Sequence, residues 1–120
     1  MANAFSMYQE GNRLLYSNAG SALVAGNIVA IATGTSGFCG ICIEDIAATT
    51  GTGTVAIGGG EERVWEGPKT SGEAWTQGQV LYWDGTALSS TSTSTSTRAG
   101  RAAYAAASAA TTGYLILNAP

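Results

Sequence analysis

The sequence predicts an all-β protein, a single small β-barrel or β-sandwich domain that follows an extended N-terminal arm. From residue 23 onward, short apolar runs alternate with turn residues, at the spacing typical of sandwiches and barrels. All three tryptophans lie within residues 64–84, on two short extended runs joined by a Pro/Gly turn. Aromatic rings contribute the most burial per side chain, so this block is a signature of the fold.

Length and composition bound the class of protein. A chain of 120 residues fits one domain with a modest core. Ala, Gly, Ser and Thr make up more than half of it, but 45% of the residues are hydrophobic, which favours a packed core over disorder. The net charge is −3 and the five basic residues are scattered singly. Without a basic patch to neutralise phosphates, nucleic acid is not an expected partner.

Residues 1–12 are predicted to be the extended arm, and residues 13–120 the β-rich domain. Phe5, Met7 and Tyr8 are apolar anchors among polar neighbours, and Gly11 and Asn12 break the pattern before the next run. A frayed terminus with chance hydrophobic residues is the alternative. No stretch has the length of an apolar membrane span, and the first eight residues lack the features of a secretory signal. We therefore expect no membrane partner and synthesis in a cytoplasm.

The apolar runs predict the strands in chain order, at residues 27–32, 38–46, 54–57, 63–66, 80–83 and 114–118, with a shorter one at 87–89. The Ser/Thr run at 89–97 is predicted to be a loop, since nothing in it is suited to burial; a strand with a polar face is the alternative. The alanine-rich stretch 101–110 has a high helix propensity but lies between strand-like segments. A short helix and a strand with a turn both remain open there.

Cys39 and Cys42 have the C-x-x-C spacing of redox and zinc motifs. Redox pairs lie at a helix N-terminus, whereas this segment has the pattern of a strand, in which residues three apart point to opposite faces. The chain has no histidine and no second cysteine pair, so a zinc site lacks ligands. We expect two reduced thiols that pack as small apolar side chains, and no metal.

The other polar residues do not predict catalysis. Half of the carboxylates lie beside turns, where solvated charge is normal, and the chain has no histidine to carry protons near neutral pH. We therefore predict that the protein is not an enzyme and that it uses no cofactor. Four aromatic residues are predicted to form the core or an oligomer interface, with a platform for a sugar ring as the alternative: Trp65, Trp75, Tyr82 and Trp83.

The block at residues 64–84 carries a resemblance to a known family. It has the pattern Val-Trp-Glu-x-Pro-Lys-x-x-Gly-Glu-Ala-Trp-x-Gln-Gly-x-x-x-Tyr-Trp-Asp, which resembles the small capsid cement, or head decoration, proteins of tailed bacteriophages. The likeness extends to Gly-x-Ala-x-x-Ala-Ala at 100–106 and to a closing hydrophobic strand at 114–117. Gly67 stands where the family usually has a leucine-like residue, and the Ser/Thr run is longer than usual.

The resemblance implies a structural protein of the virion, a β-rich domain on the outside of an icosahedral head. Its partners would be a major capsid protein with the HK97-like fold and further copies of itself, as a homotrimer or a dimer. It would stabilise the junctions between capsomers, and Phe5, Met7 and Tyr8 of the arm would contact the capsid. A glycan-binding module of a phage or surface fibre is the alternative function.

Overall fold

The computed structural model describes residues 12–58 and 64–120, and these residues form strands and turns without a helix. Within the same two ranges, no helix is long and apolar enough to cross a membrane. The all-β prediction is confirmed. The strands are β1 (Arg13–Ser17), β2 (Ile28–Ala32), β3 (Phe38–Cys42), β4 (Thr52–Ala56), β5 (Val64–Pro68), β6 (Val80–Trp83), β7 (Leu88–Ser89), β8 (Thr97–Ala102) and β9 (Thr112–Leu117).

The strands form two antiparallel sheets. The first has the order β1-β4-β3-β2, and the second has the order β5-β9-β8-β6-β7. Neither sheet closes on itself in the described part of the chain, so the fold is not a closed barrel. The sheets approach each other most closely through β3 and β8.

The two sheets are built on one repeated pattern of strand pairing. Strand β1 pairs with β4 from Arg13–Ala56 to Ser17–Thr52, and β5 pairs with β9 from Val64–Ile116 to Pro68–Thr112. The β2–β3 and β6–β8 pairs correspond in the same way. The second sheet differs by the longer β6–β8 connection, which adds β7 at the edge.

The turns before β2 and β6 repeat as well. Gly26 donates to the carbonyl of Cys42 at 2.7 Å, and Gly78 donates to the carbonyl of Ala102 at 2.8 Å. Both glycines have positive φ, at 94° and 86°, in a region that other residues rarely adopt. The side chains of Asn27 and Gln79 then accept from the backbone N–H three residues earlier, each at 3.0 Å. The chain therefore contains two copies of one supersecondary unit, which the sequence analysis did not identify.

The three tryptophans occupy positions that smaller apolar residues hold in the first unit. Leu14 faces Val55 across its strand pair as Trp65 faces Leu115. Leu23 bridges Ile46 as Trp75 bridges Ala106. Ile31 and Trp83 are both the fourth residue of their strands. The three first-unit residues pack in one hydrophobic cluster, and the three tryptophans pack in the other. The tryptophan block therefore supplies core residues of the second unit.

The C-terminal end of β9 joins the two units. Asn118 accepts from the backbone N–H of Cys39 at 3.1 Å and donates to the Cys39 carbonyl at 2.7 Å and to the Ile57 carbonyl at 2.7 Å. Cys39, Ile41 and Ile28 of the first sheet also pack with the core of the second unit. The two sheets therefore share one hydrophobic cluster, in addition to the smaller one within the first unit.

Two segments differ from a simple reading of their composition. In the alanine-rich stretch, β8 extends to Ala102 and the following residues form turns, so packing against the sheet outweighs helix propensity there. The Ser/Thr run, predicted to be a loop over 89–97, is a loop at 90–96, while Ser89 ends β7 and Thr97 begins β8. The expectation that none of it would be buried is wrong. Ser89, Ser96 and Thr97 are all buried. The hydroxyls of Ser89 and Ser96 donate to Glu73 and to the Thr93 carbonyl, which satisfies them inside the fold.

Candidate functional site

Trp75 lies at the centre of the second unit. It is 2% exposed, and its indole N–H donates to Glu73 Oε1 at 2.8 Å. Its ring covers the backbone of Gly113, where an added Cβ would lie 2.3 Å from the ring. A buried indole whose N–H has a partner and whose face covers a strand is a packing element. Trp75 is therefore not accessible to a ligand.

Lys69 of the same block is buried although it is charged, with 4% exposure. Its ammonium donates to the carbonyls of Thr70 and Ala110 at 3.0 Å and 3.2 Å. It also lies 5.5 Å from the centroid of the Trp75 ring, within range of a cation–π interaction. Lys69 thus ties the end of β5 to the segment that precedes β9.

Glu73 anchors the Ser/Thr loop. It accepts from Ser89 Oγ at 2.9 Å and from the backbone N–H of Ser90, in addition to the Trp75 indole. Burial acts to raise the pKa of Glu73, but the hydrogen bonds from Trp75, Ser90 and Ser89 outweigh it and lower that pKa below its usual value. The polar residues of the block therefore stabilise the fold around Trp75.

The other predicted aromatic residues lie nearer the surface. Trp65 and Trp83 are half-buried and pack against the core cluster that contains Trp75. Tyr82 is half-buried on β6, between Arg98 of β8 and Ser89 of β7. Because Trp75 is enclosed, these side chains do not form one exposed platform of the kind that the glycan alternative requires.

A cleft of about 350 Å³ lies between the two units. Trp65, Trp83, Leu88 and Leu115 of the second unit line it, together with Ile28 and Ile41 of the first. Its remaining lining residues are Leu23, Gly26, Asn27, Glu66, Gly67, Pro68 and Gly85. The cleft is therefore mostly apolar, and it places two tryptophan side chains at the boundary between the sheets.

A pair of tyrosines outside the predicted site is exposed on the second unit. Tyr104 and Tyr114 meet edge to face, with ring centroids 5.5 Å apart at 81°, and they are 56% and 41% exposed. A hydrogen bond to Glu66 and the charge of that carboxylate raise the pKa of Tyr114. The sequence analysis did not single out these residues, since their meeting depends on how the loop after β8 folds back onto β9.

The two cysteines behave as the strand pattern predicted. Both are free and buried, and they belong to different hydrophobic clusters, on opposite faces of β3. Burial raises the pKa of Cys39 to about 12 and also raises that of Cys42. Among the residues that the structure describes, no group of three His, Cys, Asp or Glu is placed to hold a metal ion.

The capsid-contact residues predicted for the arm, Phe5, Met7 and Tyr8, lie outside the described residues, so their role stays a prediction.

The comparison with protein families matches nearly the whole chain. The profile of a family described as phage cement protein matches residues 8–117. No curated protein and no solved structure matches the chain. The matched range includes every strand of both sheets.

Proposed function

This chain belongs to the phage cement protein family, and from that premise we propose that it binds the outer surface of a tailed-phage head and stabilises it. The membership supports a structural role on the phage capsid. In the proposal, the partner is a major capsid protein with the HK97-like fold, and the binding sites are the junctions between capsomers.

The observation that carries the proposal is the extent of the family match. It covers both structural units and the whole tryptophan block. The arrangement of that block supports a structural role, because Lys69 and Glu73 use their charged groups to hold backbone and indole groups in place. We propose that the protein acts without catalysis and without a cofactor.

Assembly on the head needs contacts to neighbours as well as a stable domain. We propose that the protein is a homotrimer, or alternatively a dimer, so that several weak contacts to the shell act together through effective concentration. In this proposal Phe5, Met7 and Tyr8 of the arm contact the shell, and Trp65, Tyr82 and Trp83 contribute to the fold or to the contact between copies. The exposed Tyr104–Tyr114 pair adds a surface of the composition that interfaces favour.

The proposal also includes the location of the protein. It is made in the cytoplasm of the host and ends on the outside of the virion. Binding that favours the expanded shell over other states stabilises that state by mass action.

Co-sedimentation with empty expanded heads tests this function. The purified protein is mixed with heads that lack it, and the pelleted protein is measured against the amount of major capsid protein. We expect saturable binding at a fixed ratio, and heads that resist a higher temperature after binding. A variant that lacks residues 2–10 should stay folded and lose binding. Protein that stays in the supernatant at every concentration contradicts the proposal.

A further inference from the structure

The second unit has a strand for which the first unit has no counterpart. Strand β6 pairs with β8 on one side and with β7 on the other, where Tyr82 faces Ser89. Strand β2 takes the place of β6 in the first sheet, and within the described part of the chain it pairs with β3 alone. Ala30 corresponds to Tyr82, since each lies three residues after the Asn or Gln side chain that completes the preceding turn. The edge of β2 is therefore open where β7 lies in the second unit.

The pairing of β2 with β3 shows which backbone groups point outward. The N–H of Cys42 donates to the carbonyl of Asn27 at 2.8 Å, and facing residues of an antiparallel pair exchange hydrogen bonds at every second position. Val29 faces Gly40, so these two residues form the next bonded pair. The N–H and C=O of Ala30 then point away from β3, where a strand of another chain can bind them.

Strand β2 also lacks the residues that commonly protect a sheet edge. Its sequence, Ile-Val-Ala-Ile-Ala, contains neither a charge nor a proline, and both discourage pairing with another chain. The edge strand β1 contains Arg13, β5 contains Glu66 and Pro68, and β7 has only two residues. The register with β3 shifts between Ala30 and Ala32, but the β6–β8 register shifts too and β6 still pairs with β7.

Exposed apolar side chains lie at both ends of β2. Val24, in the turn before the strand, is 54% exposed, and Phe38, which is paired with Ala32, is 37% exposed. The cleft between the units begins at the first residue of the strand, Ile28. An extended chain that pairs with β2 would therefore cover apolar surface in addition to forming backbone hydrogen bonds.

The core of the first unit is closed without an added strand. In the second unit Leu88 of β7 is 2% exposed and lies beside Gly67, where an added Cβ would be 3.8 Å from Leu88 Cδ1. Tyr16 corresponds to Gly67, because Tyr16 faces Gly53 as Gly67 faces Gly113, and it packs against the core of its own unit. A side chain of β1 thus replaces the one that β7 supplies, and an added strand needs a small residue next to Tyr16.

The charges at one end of this edge select the sequence of the added strand. Asp45 is exposed beside the turn that precedes β2, where it accepts from the backbone N–H of Ala25 at 3.0 Å. Its neighbour Glu44 is also exposed. A strand antiparallel to β2 has its C-terminal end on this side. A basic residue that follows the strand would therefore lie near two carboxylates.

The edge strands of a second copy do not meet this requirement. Among the described edge strands, β2 and β7 carry no charge, and β5 carries only Glu66. Strand β1 has its basic residue, Arg13, at its N-terminal end, so antiparallel pairing with β2 would place Arg13 at the end opposite Asp45. The sequence requirement therefore points to a different polypeptide, and membership of the phage cement family implies association with the capsid.

We infer that the outer edge of β2 binds an extended segment of the capsid protein, which adds to the first sheet as an antiparallel strand at Ala30. The segment has a small residue opposite Ile31, next to Tyr16, and a basic residue after its C-terminal end, near Asp45. Backbone hydrogen bonds supply the affinity, and these two side-chain requirements fix the register and direction. The inference rests on the proposed binding to heads and names the surface that makes the contact.

Co-sedimentation of proline variants with empty expanded heads tests this surface. Ala30→Pro removes the outward N–H and keeps the bonds between Val29 and Gly40, and edge strands tolerate proline at such positions. We expect its dissociation constant for heads to rise by about tenfold or more. Leu15→Pro is the matched control, because it places proline at an outward position of β1, the opposite edge of the same sheet, where the side chain is 64% exposed. Leu15→Pro should bind as the wild type does.

A charge variant tests the basic residue of the segment. Asp45→Asn keeps an oxygen that accepts from Ala25 and removes the negative charge. We expect binding about two- to fivefold weaker than that of the wild type at low salt, with a difference that shrinks as salt is added. Equal binding at low salt would overturn the assignment of a basic segment.

Hydrogen exchange of the wild-type chain, measured by mass spectrometry, decides the question even where Ala30→Pro does not fold. We expect peptides that contain Ala30 to exchange more slowly once heads are added. Unchanged exchange in β2, or Ala30→Pro that binds as tightly as the wild type, overturns the inference and leaves the binding to heads in place. Wild-type protein that does not sediment with heads overturns both. Slower exchange that appears without heads as protein concentration rises shows that a second copy occupies the edge, and this also overturns the inference.

Discussion

Asn118 and Cys39 exchange a pair of hydrogen bonds across the boundary between the two units, although they are far apart in the chain. The Cys39 N–H donates to Asn118 Oδ1, and Asn118 Nδ2 donates to the Cys39 carbonyl. Asn118 also has a φ of 56°, in the left-handed region that asparagine tolerates better than most residues. The Asn118 side chain therefore links the end of β9 in the second sheet to β3 in the first.

Replacing Asn118 should destabilise the whole domain. Asn118→Ala removes three hydrogen bonds and keeps an unfavourable φ, so we expect a loss of about 2–4 kcal/mol in the free energy of unfolding. Asn118→Gly removes the same bonds and tolerates the positive φ, so it should cost less. Urea unfolding followed by circular dichroism measures both. An alanine variant with the wild-type midpoint would show that this junction contributes no stability.

Two glycines that face each other across β5 and β9 should respond in opposite ways to alanine. Gly113→Ala forces a methyl group against the ring of Trp75 and should cost about 1–3 kcal/mol of stability. Gly67→Ala points into the cleft and should be neutral, or stabilise by about 0.5–1 kcal/mol through the unfolded chain. Thermal unfolding measures the stability of both variants. An equal change in unfolding temperature for Gly67→Ala and Gly113→Ala would contradict the packing described around these two glycines.

Cys39 should make stability fall in alkaline solution. Its pKa is raised to about 12 by burial, from the usual 9.0, so the folded state keeps a proton that the unfolded state releases. The contribution is complete below pH 9 and is lost progressively as the pH rises towards 12. We expect a loss of about 1 kcal/mol between pH 8 and 10. In the Cys39→Ala variant, the free energy of unfolding should fall less between pH 8 and 10 than in the wild type. An equal fall in the two proteins would contradict the prediction.

Glu73 should have the reverse dependence, in acid. Its pKa in the folded protein lies below the usual 4.5, so its contribution is present above that value and is lost as the pH falls through the folded-state pKa. Glu73→Gln should cost about 1–2 kcal/mol near neutral pH, because a neutral amide is a weaker acceptor for Trp75, Ser89 and Ser90. The difference between variant and wild type, measured by urea unfolding, should shrink on acidification. A difference that is constant with pH would argue that the charge of Glu73 is not involved.

Most strands could be predicted from the sequence because they are short apolar runs between turn residues, as at 80–83 and 114–118. Strands β1 and β8 were not predicted, and β8 has the sequence Thr-Arg-Ala-Gly-Arg-Ala, which is not an apolar run. The internal repeat could not be predicted either, since counterparts in the two units share backbone pairing and not residue type: Tyr16 corresponds to Gly67, and Leu23 to Trp75. The weak signal that was present is Gly-Asn-Ile at 26–28 beside Gly-Gln-Val at 78–80.

Burial in the Ser/Thr loop also depends on contacts that composition does not reveal. Ser96 is 1% exposed because its hydroxyl accepts from the Thr93 N–H and donates to the Thr93 carbonyl. The cleft could not be predicted from the sequence either, because its wall is formed by residues of two sheets that are distant from each other in the chain. The tryptophan block was prominent in the sequence, but its division into a buried Trp75 and half-buried Trp65 and Trp83 follows from the register of the strands.

Electron cryomicroscopy of heads incubated with this protein tests the central claim most directly. The expected map shows added density on the outer surface at the junctions between capsomers, of a size that fits the two-sheet domain, and the same heads without the protein lack it. Heads that remain bare on the outside at saturating protein concentration, or density confined to the interior, would contradict the account.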